Sequence, residues 1–149
     1  VEPVGKDIGF LPGTRDEKML PWLAPIQDNL QFLFGNDKMT LDMHIDEGRI
    51  EVEAMTYIRG RSICNSFIII DEAQNMNRHE IKTVLTRVGE GTKIVLTGDI
   101  EQIDNIYIDS TNNGLSYLVE KFKDQEIAGH VTLLKGERSK VASVSARIL

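Results

Sequence analysis

The chain has one cysteine, Cys64, in 149 residues. An internal disulfide framework is therefore excluded, and the reducing cytoplasm is the default compartment. No apolar run approaches the roughly 20 residues that span a bilayer. The N-terminus also lacks the basic-then-apolar plan of a secretory signal. A starting methionine is missing: Val1 begins abruptly, as a piece trimmed from a longer protein would. Aromatic residues are scarce at 6%, and a stacking platform for single strands wants aromatics interleaved with basic residues. Trp22, Phe32 and Phe34 are expected in the core instead. Positive charge is in deficit, with 17 Lys and Arg against 23 Asp and Glu and a formal net charge of −6. Nothing in that balance pulls the chain toward nucleic acid or anionic lipid. A local basic groove is still open to it, because Arg59, Arg61, Arg78, Lys82 and Arg87 fall close together. His44, His79 and His130 show no metal-ligand spacing with Cys64 or with one another. Internal repeats and low-complexity tracts are absent as well.

What remains has the apolar (41%) and charged (27%) content of an ordinary globular domain with a substantial core. Residues 1–16, rich in Gly and Pro, read as irregular loop. Pro25 suits the first turn of a helix carrying Ile26, Leu30 and Leu33, with Gly35 as its stop. Residues 36–48 read as loop with room for a short helix. Ile50 to Ala54 alternates apolar and charged residues like a half-exposed strand. Residues 67–70 read as a buried parallel strand. A helix over about 77–88 follows, with Asn77 and Glu80 as a capping-box pair, Ile81, Val84, Leu85 and Val88 as its apolar face and Gly89 as its end. Lys93 to Thr97 reads as a second buried strand. A second amphipathic helix carries Leu115, Leu118, Val119 and Phe122. His130 to Leu134 reads as a further strand, and 138–149 as a last helix. Strands alternating with helices predict an α/β fold with a parallel, doubly wound sheet.

The richest stretch is FIIIDEAQN, residues 67–75. Asp71 and Glu72 end an apolar strand, and open α/β sheets place ligands at the carboxyl ends of their strands. Two neighbouring carboxylates there suit a magnesium–nucleotide site: Asp71 holds the ion, Glu72 orients or deprotonates the attacking water, and Gln74 senses the phosphate. The plainer alternative has Asp71 capping the next turn. LTGDIEQID, residues 96–104, repeats the layout. Gly98 permits a turn or a close approach, and Thr97, Asp99 and Gln102 suit hydrogen bonds to the γ-phosphate or the water. Its plainer alternative is a polar turn. Arg59, Arg61, Arg87 and Arg138 are candidates for countering developing charge, and Arg138, after a strand, is the best placed. Each is equally well read as a solvated surface arginine, and Arg87 as a complement to a helix C-terminus.

These residues resemble the PhoH family of P-loop ATPases, related to superfamily 1 helicases. The resemblance runs through GFLPGTRDEKMLPWLAPIQDNL (9–30), YIRGRS (57–62), FIIIDEAQNM (67–76), EIKTVLTRVGEGTKIVLTGDIEQID (80–104), NNGLSYLVEKF (112–122) and LLKGERSKVASVSARIL (133–149). The KTVLTR and GERS segments look most like the branch in which a PIN nuclease domain precedes the PhoH domain. The resemblance implies a RecA-like parallel sheet flanked by helices and ATP hydrolysis with Mg2+. For that branch it also implies RNA unwinding coupled to cleavage, and by analogy a homo-oligomer, a hexamer. Asp71 and Glu72 match the family's Walker B pair, Asp71 and Glu72 thereby standing at the metal. Thr97, Gly98, Asp99 and Gln102 match its sensor-like motif. Arg59, Arg61 and Arg138 stand where the family has arginines, the first two beside the nucleotide.

The departure is the phosphate loop. The family carries G-x-x-G-x-G-K-T upstream, whereas this chain has no G-K-S or G-K-T; Gly5-Lys6-Asp7 and Gly91-Thr92-Lys93 do not qualify. The expectation is thus a single, N-terminally truncated ATPase domain over 1–149, with 1–48 a loop-rich and helical lead-in and 49–149 the α/β core. The central Walker A strand would be absent, leaving a gap with exposed backbone and apolar surface. Two functions follow. Either this is part of an RNA-acting ATPase, or the chain alone is catalytically silent and serves as an RNA- or protein-contacting module.

Overall fold

The structure, a computed structural model, describes residues 15–52, 58, 60, 62–134 and 139–148, with the side chains of 15–23, 142, 143, 146 and 147 excepted. Contacts divide the chain into two compact units, Val1–Leu118 and Val119–Leu149.

In the first unit, α1 (Arg15–Leu33) precedes α2 (Lys38–Asp46). Helix α1 starts ahead of the expected point and runs through Pro21 and Pro25, although each proline forfeits a backbone hydrogen bond. Gly35 stops it as expected, with φ of +68°, and Asn36 follows at φ 64°. The expected core position of Phe32 is not observed, since it is 72% exposed. Phe34 is half-buried, edge-on to His44 with ring centroids 5.2 Å apart. The short helix allowed for in 36–48 is α2. Asp37 starts it, accepting from the Thr40 backbone N–H at 3.2 Å and the Thr40 hydroxyl at 2.6 Å. The half-exposed strand expected at 50–54 is not present in 50–52, which are irregular; 53 and 54 lie outside the described residues.

The sheet is β1 (Phe67–Ile70) beside β2 (Lys93–Leu96), parallel, with Phe67 opposite Lys93 and Ile70 opposite Leu96. Parallel neighbours need a crossover, here carried by α3 (Arg78–Leu85). Asn77 Oδ1 accepts from the backbone N–H of His79 and Glu80, and Glu80 Oε2 accepts from that of Asn77 at 2.7 Å, the reciprocal pair expected of a capping box. The helix ends at Leu85 rather than Val88. Gly89 serves a different end: its N–H donates to Ile63 O at 2.7 Å, and a Cβ there would collide with Cys64 Sγ. Helix α4 (Gly114–Phe122) begins in this unit.

Ile70, Ala73, Met76, Ile81 and Val84 form the buried core, with Ile68, Leu85, Ile94, Leu96, Leu115 and Leu118 packed on it. Only one face of β1 is covered. Phe67 and Ile69 are 63% and 65% exposed, so the strand alternates where continuous burial was expected. The architecture is a small α/β unit, a parallel two-stranded sheet flanked by helices, compatible with part of a P-loop-like fold.

In the second unit, α5 (Lys140–Ile148) falls within the expected last helix. The strand expected at His130–Leu134 is absent: these residues are irregular and exposed. They have strand-like composition without a neighbouring strand among the described residues, and an unpaired strand leaves its backbone ladder unmade.

Candidate functional site

In-register parallel pairing brings the carboxyl ends of β1 and β2 side by side. The ladder continues one step past the strands, with Thr97 N–H donating to Ile70 O at 2.8 Å and Ala73 N–H to Thr97 O at 2.9 Å. The two motifs seen in the sequence therefore meet. Thr97 Oγ1 donates to Asp71 Oδ1 at 2.7 Å, so Asp71 binds the second motif and caps no turn. Asp71, Glu72, Thr97 and Gln102 are exposed, and Asp99 is half-buried.

Glu72 sits in the left-handed region at φ 57°, ψ 35°. A residue with a Cβ held there costs on the order of 1–3 kcal/mol, and such residues cluster at functional sites. The turn of 3-10 helix that follows, Ala73–Asn75, carries Gln74 into the interior at 0% exposure. Both N–H groups of the Gln74 amide are used, and its oxygen accepts once. Nε2 donates to Glu72 Oε2 at 2.6 Å and to Gln102 O at 2.9 Å, while Oε1 accepts from Asp99 N–H at 3.2 Å. Gly98 has no room for a side chain: a Cβ would stand 2.6 Å from Gln74 Oε1 and 2.8 Å from Leu115 Cδ2. Asp99 turns its own loop, accepting from Gln102 Nε2 at 2.6 Å and Glu101 N–H at 3.0 Å.

Three further residues hold the site, and the motif reading passes them by. Asn75 Oδ1 accepts from the backbone of Asp104 at 2.8 Å and Asn105 at 3.2 Å, fixing the far end of the second loop. Asn113, fully buried, caps α4 by accepting from Ser116 N–H at 2.8 Å. Gly114 donates to Met76 O at 2.7 Å, and a Cβ on it would lie 2.5 Å from Ile81 Cγ1. The signal for the last two is the run Asp109-Ser-Thr-Asn-Asn-Gly114, a turn composition ending in an N-cap. Asp109 organises that turn. Its carboxyl lies below the usual range, chiefly because the Thr111 hydroxyl donates to it, with the Thr111 and Asn112 N–H groups adding to the effect.

Among the described residues, no group of three or more His, Cys, Asp and Glu could hold a metal ion. Magnesium does not need one, since it binds through one or two carboxylates and fills its octahedron with waters and substrate phosphates. Two exposed carboxylates, each steadied through one oxygen by Thr97 or Gln74, fit that demand. Arg59, Arg61 and Arg138 lie outside the described residues. Arg87 is half-buried, with its Nε out of solvent and without a hydrogen-bond partner. No helix of the described residues is long and apolar enough to cross a membrane.

Comparison with known proteins agrees with the paired motifs. The family profile described as PhoH-like protein matches residues 1–146. Protein PhoH2 of Bacillus subtilis (strain 168) is 63% identical over 151 aligned residues, covering 100% of this chain and 34% of the relative. Protein PhoH2 of Mycolicibacterium smegmatis is 41% identical, covering 97% of this chain and 32% of the relative. The PhoH-like protein of Synechocystis is 44% identical over 67% of this chain and 30% of its own length. The chain thus spans about a third of the length of these relatives. With a family match over nearly every residue and the paired strand-end motifs joined in space, the chain belongs to the PhoH family.

Proposed function

We infer that this chain supplies the magnesium- and water-handling part of an ATP-hydrolysing site in a longer PhoH-like protein that acts on RNA. The observation that carries the reading is the junction at the strand ends, where Asp71 and Glu72 follow β1 and Asp71 is bonded to Thr97 of the second motif. Asp71 would hold the ion, with Glu72 beside it. Bound magnesium would offset the charge of the phosphates. Glu72 takes a proton from water as the water oxygen bonds the γ-phosphorus. The bond from that phosphorus to the bridging oxygen breaks, and ADP leaves with that oxygen. Thr97, Asp99 and Gln102 line the phosphate side, with Gly98 allowing close approach. Arg59 and Arg61 are assigned to the nucleotide and Arg138 to the developing charge, by resemblance alone. RNA as partner, a homo-hexameric assembly and a cytoplasmic location belong to the same proposal.

The test is ATP turnover by the full-length protein. Glu72→Gln should lower kcat by roughly 10²–10⁴-fold, the usual contribution of a general base. Turnover at the wild-type rate would overturn the assignment. A second reading concerns these 149 residues alone, which contain no G-K-S or G-K-T to hold the β- and γ-phosphates. On that reading the isolated chain is catalytically silent and contacts RNA or protein. Calorimetry with Mg-ATP should then detect no sub-millimolar binding, and such binding would exclude it.

A further inference from the structure

We propose that Gln74 is a positioning residue that ties the aim of the Glu72 carboxylate to the loop carrying Thr97 to Gln102, acting through Glu72 and never on the nucleotide. The proposal rests on the reading of Glu72 as the group that handles water. Gln74 is 0% exposed, so its amide does not reach a bound phosphate. One planar group nonetheless touches both halves of the site: Glu72 Oε2 at 2.6 Å, Gln102 O at 2.9 Å and Asp99 N–H at 3.2 Å.

The chemistry admits few substitutes. The position needs two donors and one acceptor on a single rigid plane, which an amide offers and an ionised carboxylate or thioether does not. A donated hydrogen bond to a carboxylate is charge-assisted and directional. It fixes one Glu72 oxygen and leaves Oε1 to face a water. Gly98 completes the device, because any side chain there would push Gln74 Oε1 aside. A shift of the second loop that moves Gln102 O or Asp99 N must turn the amide plane, and with it Glu72. Glu72 itself stands on a left-handed backbone, and the Gln74 amide holds its side chain.

Loss of a buried amide also weakens the fold, so stability cannot decide the matter. The experiment is a double-mutant cycle on ATP turnover by the full-length protein, using Gln74→Met, Glu72→Gln and the pair in single-turnover format. Gln74→Met should lower kcat roughly 10- to 100-fold, the scale for misplacing a catalytic group by about 1 Å, with KM for ATP little changed. In the Glu72→Gln background it should cost nothing further, the non-additivity of residues acting as one unit. A Gln74→Met enzyme with wild-type kcat, or the same fold loss in both backgrounds, overturns the proposal while Glu72 keeps its role. Wild-type turnover by Glu72→Gln overturns the underlying reading instead. Should Gln74→Met not fold, selective 15N labelling of glutamine decides. The Gln74 side-chain amide resonance should move on Glu72→Gln, and an unmoved resonance overturns the proposal.

Discussion

Residues 62–118 and residues 123–134 draw on similar apolar side chains and end in opposite states. In the first stretch, polar groups stitch together segments 25 to 30 positions apart: Thr97 to Asp71, Gln74 to Asp99 and Gln102, Asn75 to Asp104 and Asn105. Beneath them Ile70, Met76, Ile81 and Val84 are buried. In the second, Ile127, Val131, Leu133 and Leu134 are each at least 80% exposed and the backbone is irregular from Val131 to Leu134. Apolar residues make an element only where a partner accepts them. The β1–β2 pair has one in each strand, and HVTLL has none among the described residues.

The two stretches should differ most at the core. Ile81→Ala should cost about 2–5 kcal/mol by opening a cavity at a closed position, whereas Leu133→Ala should stay within about 0.5 kcal/mol of wild type. Urea unfolding of both variants measures the contrast, and equal losses would mean that Leu133 has a partner. Gly114→Ala tests whether close approach at the head of α4 matters. Its Cβ would meet Ile81 Cγ1 and the carbonyls of Asn77 and Met76 at 2.5–2.8 Å, a clash worth about 1–3 kcal/mol. An unchanged midpoint would show that α4 is loosely seated. Asn77→Ala, which removes half of the capping box, should cost about 1 kcal/mol, read as a lower urea midpoint with the slope unchanged.

What the sequence reveals follows from how far each signal reaches along the chain. Strands β1 and β2, the capping box of α3 and the apolar face of α4 are written in neighbouring residues and are legible. The two strand-end motifs are legible as well, but the hydrogen bond from Thr97 to Asp71 is not, since the sequence points both residues at a ligand. Helix α1 is expected to start at Pro25 because proline favours a first turn, yet Pro21 and Pro25 both lie inside it. HVTLL fails as a strand because pairing is a property of the neighbour. The roles of Gln74 and Asn75 escape because their partners stand 25 to 30 positions away. Nothing in AQN distinguishes an inward amide from an outward one.

The smallest expected effect probes whether the stitched region extends to its surface. Asp109 is exposed, yet its carboxylate accepts from Thr111 N–H at 2.7 Å, the Thr111 hydroxyl at 2.6 Å, Asn112 N–H at 2.9 Å and Asn112 Nδ2 at 3.2 Å. The hydroxyl of Thr111 is the main cause of its lowered pKa, below the ordinary 3.8. A depressed folded value means the unfolded chain binds the proton first. The contribution of Asp109 is therefore complete above the unfolded value and is lost as pH falls from there through the folded one. Asp109→Asn keeps an acceptor for the turn but no titrating group, so the gap between the two proteins should narrow over that acid window and stay constant above it. Urea midpoints taken at a series of pH values measure this. Parallel curves throughout would mean that the Asp109 turn is as idle as its exposure suggests, and that the stitching stops at Asn113.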